Sequence, residues 1–164
     1  MSDLSALEGR IQILEDIEAI KKLKAKYFRC CDLRLPDEMA DCLTDNVRVD
    51  YDKIGVFEDR KSFIAVFVEL GCRDNIIDLH HGHNPEIEIH GDESATGFWE
   101  LYFYTVDTDS KTARQLGGYY QDEYCKLNGE WRIRSTKFTS LSVQDYRLGE
   151  DGRLKTSFDA EVED

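Results

Sequence analysis

The sequence lacks the features that mark most membrane, metal and nucleotide proteins. No stretch approaches the roughly 20 apolar residues of a membrane-spanning helix, so no transmembrane segment is expected. Met1-Ser2-Asp3-Leu4 begins acidic and polar instead of basic and then apolar, which does not match a secretory signal and points to the cytoplasm. The five cysteines, Cys30, Cys31, Cys42, Cys72 and Cys125, are odd in number and show no CxxC spacing, so neither a disulfide scaffold nor a zinc knuckle is expected. They read as reduced thiols, mostly core fillers. A glycine-rich phosphate loop is also missing, because Gly117-Gly118 falls inside a strand pattern and marks a bulge. Positive charge is scarce: 21 Lys and Arg stand against 34 Asp and Glu, a net charge of -13. Nucleic acid and anionic membrane surfaces would be repelled, which leaves a small molecule or a protein as partner.

A chain of 164 residues with two Trp, eight Tyr and eight Phe can bury one core as a single domain. From Leu4 to about Cys31, apolar residues at 4, 7, 11, 14, 17, 20, 23 and 27 predict one long amphipathic helix or two nearly collinear ones. Its first half, Leu4 to Leu14, keeps an a/d rhythm suited to a neighbouring subunit as much as to the chain's own core. Pro36 opens a short second helix through Met39 and Leu43, closed by Asp45-Asn46. Val47 to Tyr51 alternates as a strand, and Asp59 to Leu70 reads as a third helix closed by Gly71.

From Asn75 the period becomes two. Strands are predicted over Ile76–His83, Glu86–His90, Ala95–Val106, Arg114–Leu127 and Glu130–Tyr146, with a bulge or bend at Pro85 and a hairpin at Asn128-Gly129. Helices first and long antiparallel strands afterwards predict an α+β domain over residues 1–148, its helices on one side of a curved sheet that can form a cone with a deep pocket. Residues 149–164 read as an acidic, partly disordered tail.

Three of the four histidines fall in Asp78-Leu79-His80-His81-Gly82-His83-Asn84-Pro85-Glu86-Ile87. Histidine can take and give a proton near neutrality, and a carboxylate that orients it completes the minimal general base. Asp32 sits among Leu23, Phe28, Leu33 and Leu35, where a carboxylate has little other reason to be. An Asp32–His80 pair is therefore the candidate site. Strand parity alone does not select it, because Ile77, Leu79, His81 and His83 share one face and Asp78, His80 and Gly82 the other. A metal site from His81, His83 and Glu86 is a further alternative, though it lacks a clear third ligand. Asp32 could equally pair with Arg29 or Arg34, and Tyr27 could be a core aromatic. Phe98-Trp99-Glu100-Leu101-Tyr102-Phe103-Tyr104 reads as sheet packing or as one wall of a hydrophobic cavity.

These residues resemble the SnoaL-like, nuclear-transport-factor-2-like superfamily of cone-shaped proteins, and within it the bile acid 7α-dehydratases. The resemblance runs from about Asp16 to Gln144 and rests on Asp-Ile-Glu-Ala-Ile-Lys at 16–21, Lys-Tyr-Phe-Arg-Cys at 26–30 with Asp32, His80-x-Gly82-His83-x-Pro85-Glu86-Ile87, Ala95-Thr96-Gly97-x-Trp99 and Asn128-Gly129. It implies a catalytic His80 oriented by Asp32 as the base and Tyr27 as the acid, donating to the enolate or to the departing hydroxyl, with Tyr51 on a pocket position shared with scytalone dehydratases. Trp99, Phe103 and Ser140 complete the expected substrate-binding set. The bile acid enzymes carry an aspartate where this chain has Phe103 and an arginine where it has Ser140. The resemblance implies a dehydratase that needs no metal or other cofactor, acts on a hydrophobic steroid-like or aromatic hydroxy-ketone, and assembles as a homotrimer. Without a nearby cation, a neutral substrate is expected over an anionic one. The alternatives are a ketosteroid-isomerase-type isomerase and a non-catalytic small-molecule-binding module.

Overall fold

The computed structural model describes residues 3–52, 54–149, 151 and 154–156. Helix α1 runs unbroken over Asp3–Leu33, continuing through Gly9. Its first turns stand clear of the domain, with Leu4, Leu7, Ile11 and Leu14 exposed, whereas the second half buries Asp16, Ile20, Lys24, Tyr27, Phe28, Cys30 and Cys31. The buried stripe thus runs through Lys24, a position the apolar periodicity passes over in favour of Leu23. The helix ends in a Schellman turn: Leu35 N–H bonds Cys30 O at 3.0 Å, Arg34 N–H bonds Cys31 O at 3.3 Å, and Arg34 adopts φ 58°. That left-handed residue is tied down by its own guanidinium, which donates to Ile76 O at 2.5 Å.

Helix α2 covers Pro36–Asp41, and strand β1 follows at once over Leu43–Tyr51. Asp45-Asn46 therefore lies inside a strand instead of closing a helix. Leu43, Val47 and Val49 are buried and hold β1 against the core, and its register breaks between Leu43 and Arg48, so the two polar residues sit at an irregularity. A short strand β2 (Gly55–Phe57) leads to helix α3 (Arg60–Gly71), whose N-cap Asp59 accepts from Ser62 N–H at 2.8 Å. Long strands β3 (Ile76–His90), β4 (Ser94–Asp107), β5 (Thr112–Leu127) and β6 (Glu130–Leu148) form a meander.

The sheet order is β2-β1-β6-β5-β4-β3, and a short β7 (Leu154–Thr156) pairs with β6. The predicted tail thus contributes a strand, while residues 157–164 lie outside the described residues. The sheet is mixed where an antiparallel one is predicted, because β1 pairs parallel to β6. The predicted bulges fall between His83 and Glu86 and between Gly117 and Gly118, and Asn128 and Gly129 form the β5–β6 turn with positive φ. No helix among the described residues is long and apolar enough to cross a membrane.

The helices cover the inner face of a curled, unclosed sheet, and cross-strand register arranges that face in rows. At the buried end Gly97, Asp122 and Thr136 align, followed by Trp99, Tyr120 and Phe138. Further out lies His80-Phe103-Leu116-Val143, and outermost is Asp78-Thr105-Arg114-Asp145. Burial falls along this series, from fully enclosed Thr136 to exposed Arg114.

Candidate active site

Strand β3 is an edge strand, so every second backbone N–H faces away from the sheet and needs a partner. For His80 that partner is Asp32, whose Oδ1 accepts the His80 N–H at 3.0 Å and whose Oδ2 lies 3.2 Å from the same nitrogen. The same Oδ1 is 2.6 Å from His80 Nδ1. One carboxylate from the last turn of α1 thus grips both the backbone and the ring of one strand residue. Because the carboxylate is an acceptor, Nδ1 carries a proton, and in the neutral ring Nε2 then presents its lone pair.

The imidazole lies between Phe28, stacked at 5.9 Å and 16°, and Phe103, tilted at 4.5 Å. Its side chain is 13% exposed and that of Asp32 21%, so the pair is reachable from the open end of the sheet. Gly82 makes the Phe28 position possible, since a Cβ there would overlap the phenyl ring.

Deeper in, Tyr27 Oη and Tyr51 Oη are 2.7 Å apart, both buried. Desolvation, reinforced for Tyr27 by its tyrosine neighbour, pushes both phenols well up, so they are hydroxyl donors across ordinary pH. Below them is a charge pair absent from the sequence reading. Lys24 Nζ lies 2.7 Å from Asp122 Oδ2, both side chains at 0% exposure, but off a hydrogen-bond direction. The ammonium instead faces the rings of Tyr120, Phe28 and Tyr27 at 3.8, 5.1 and 5.2 Å. Burial pushes the Lys24 pKa down, against the pull of Asp122. Asp122 also accepts from Tyr124 Oη at 2.7 Å, which in turn accepts from Trp99 Nε1 at 2.9 Å.

The structure therefore brings Tyr27, Tyr51, Asp32, His80 and Phe103 together on the inner face. Trp99 is buried with its N–H bound inside the core, and Ser140 donates from its N–H and Oγ to Asp52 at 2.8 and 2.9 Å. Of the other histidines, His81 faces outward beside Tyr102 and His83 pairs with Glu100 at 3.2 Å. Among the described residues no three His, Cys, Asp or Glu converge to hold a metal. Contrary to the expectation of no nearby cation, Lys24, Arg34 and Arg114 lie along this side of the molecule, but each is engaged: Lys24 lies against Asp122, Arg34 binds Ile76 O and Asp74, and Arg114 holds Asp145 through Nε at 2.5 Å and Nη2 at 3.1 Å. Asp122 and Gly82 sit at inward parity on their strands, the signal by which a sequence reading could have found them.

The fold has known counterparts. Residues 12–137 match the model of the SnoaL-like domain. Similar solved structures include a Novosphingobium aromaticivorans protein provisionally assigned as a scytalone dehydratase, with TM-score 0.77 and 19% identity over 85% of this chain and 93% of that one. The hexachlorocyclohexane dehydrochlorinase LinA-type3 from Novosphingobium barchaimii superposes with TM-score 0.74 at 15% identity, over 82% of this chain and 92% of that one. A nuclear-transport-factor-2-like protein with a cystatin-like fold from N. aromaticivorans gives 0.72 at 17% identity, over 87% and 92%. At these identities the structures share a fold. With the family model spanning well over half its length, this chain belongs to the SnoaL-like family.

Proposed function

We propose that the protein is a cofactor-independent lyase that eliminates water from a hydrophobic hydroxy-ketone. The observation that carries this reading is the double grip of Asp32 on His80, which fixes one tautomer and leaves Nε2 as a base against an apolar wall. His80 removes an activated proton from a carbon next to a carbonyl, or vinylogous with it, and Asp32 stabilises the imidazolium that forms. Tyr27, held by Tyr51, donates to the developing enolate oxygen. A positioned base contributes about 10²–10⁴ in rate, and an oxyanion donor about 3 kcal/mol more.

The phenyl rings of Phe28 and Phe103, with Leu116 and Val143 in the same row, favour a flat neutral skeleton such as a fused-ring or aromatic ketone. The paired state of Lys24 and Arg114 argues against a free anion. A dehydratase and a dehydrochlorinase among the similar structures both have names that denote elimination, which agrees with this class. On the outer sheet face Ile77, Leu79 and Tyr102 are exposed, and they are the proposed contact of a homotrimer, to be checked by the mass from light scattering.

The test is turnover of hydroxy-ketosteroids and aromatic β-hydroxy ketones, followed by the ultraviolet absorbance of the conjugated product. His80→Ala and Asp32→Asn should each lower it by at least about 10² with binding nearly intact. Double-bond migration in place of water loss would make it an isomerase with the same base. Tight binding without turnover of any ligand would identify a binding module.

A further inference from the structure

One titratable group on the inner face has no part in that scheme. Asp78 stands on β3 two residues before His80, on the same strand face and one row nearer the open end. It is half-buried where its row neighbours to the other side, Arg114 and Asp145, are exposed. The groups that face its carboxyl are Asp32 and Cys31 from the last turn of α1, Arg34 just past it, His80 from β3 and Thr105 from β4, with the Arg114–Asp145 pair beyond Thr105. Arg34, a cation that acts on it, is already engaged by Ile76 O and Asp74. Tyr27, by contrast, lies deep, 1% exposed as a residue, with its hydroxyl bound to Tyr51. Asp78 thus lies toward the open end from His80, and Tyr27 toward the enclosed end.

We propose that Asp78 is a second catalytic residue, the acid that protonates the departing hydroxyl, while Tyr27 serves only the enolate oxygen. This rests on the reading of His80 as the base. In the step, the carbon-bound proton moves to His80 Nε2 and its electron pair forms the new C=C bond. The C–O pair leaves with the oxygen, which takes the Asp78 proton and departs as water. The Asp78 carboxylate is then reprotonated from the His80 imidazolium through solvent, which restores both groups.

The environment suits an acid. Burial pushes the carboxyl up, and the Asp32 charge adds to it, outweighing the opposing pull of Thr105, His80 and Arg34. A substrate that fits would carry its leaving oxygen toward the open end and its carbonyl toward Tyr27.

Leaving-group chemistry tests this directly, because chloride departs without a proton and hydroxide does not. Two ketones with one skeleton are used, one with a β-hydroxyl and one with a β-chloro substituent. Asp78→Asn should lower elimination of water by at least about 10² while elimination of chloride changes by less than about threefold. In the wild type, the hydroxy substrate should lose rate as pH rises through the raised Asp78 pKa, a limb absent from the chloro substrate and from the variant. Because the two substrates are compared within one folded variant, a loss of stability does not obscure the ratio. Equal loss on both substrates would assign Asp78 a structural role, and no loss on either would remove it from the chemistry; both overturn the proposal. His80→Ala should abolish both reactions, so retention of both in that variant, or no elimination by the wild type, overturns the base reading and this inference with it.

Discussion

The inner face holds two pairs built from the same ingredients, a carboxylate and a basic side chain, one partner on α1 and the other on the sheet. Asp32–His80 lies toward the open end, 21% and 13% exposed, and Lys24–Asp122 lies at the closed end, both fully buried. In the first, the carboxylate binds a nitrogen that the proposed reaction does not need, leaving the other as its base. In the second, the ammonium faces aromatic rings and Asp122 Oδ2 takes Tyr124, and although Asp122 Oδ1 has no hydrogen-bond partner it is buried and no group is left reachable. On the proposed reading, chemistry depends less on which residues pair than on whether pairing leaves an unused lone pair facing accessible space. The deeper pair is a structural constraint on how α1 seats against β5.

Breaking the buried pair should have the largest effect on folding. Lys24→Met leaves Asp122 charged and unpaired, at a cost of about 3–5 kcal/mol, whereas the Lys24→Met/Asp122→Leu double variant should recover most of it. Urea denaturation of the single and double variants checks this, and the double variant should keep turnover.

Gly82→Ala sharpens the contrast at the open end. The new methyl must displace Phe28, with an overpacking cost of about 1–3 kcal/mol, and because Phe28 stacks on His80 turnover should fall as well. Thermal unfolding and the turnover assay together separate the two effects.

The smallest effect concerns how α1 is anchored at all. Asp16 accepts from Trp131 Nε1 at 2.9 Å and contacts Lys126 at 2.6 Å. Burial pushes its carboxyl up, but those partners outweigh it and the net shift is downward. Its folded pKa is then below the unfolded value near 4, so its contribution is present above that pH and is lost as pH falls through the folded value. Asp16→Asn should cost about 1–2 kcal/mol at pH 7 and show a flatter loss of stability toward pH 3, read from denaturation at several pH values.

Most of the elements were legible in the sequence because periodicity reports burial, and burial is what orders this chain. The meander, the Asn128-Gly129 turn and the bulges at Pro85 and Gly117-Gly118 follow from alternation and turn chemistry. Asp45-Asn46 was misleading because local turn preference yields to the pairing of β1 with β6, which no local pattern encodes. The parallel pairing and β7 share that cause. At the site, residue types and the family resemblance named Asp32 and His80, yet parity left His81 and His83 in contention. What separates them is the unpaired N–H of an edge strand, a fact of sheet order. Lys24 stayed hidden because a lysine on an amphipathic helix ordinarily marks its wet side, and only Asp122, 98 positions away in sequence, reverses that.

The central claim, that His80 is the base, is tested most directly by separating proton removal from leaving-group departure. A ketone with the skeleton of the best substrate but no leaving group is incubated with enzyme in deuterium oxide, and loss of the signal of the proton next to its carbonyl is followed by NMR. The wild type should exchange that proton well above the buffer rate, Asp78→Asn should retain the exchange, and His80→Ala should lose at least about 10² of it. Exchange by His80→Ala at the wild-type rate would contradict the account.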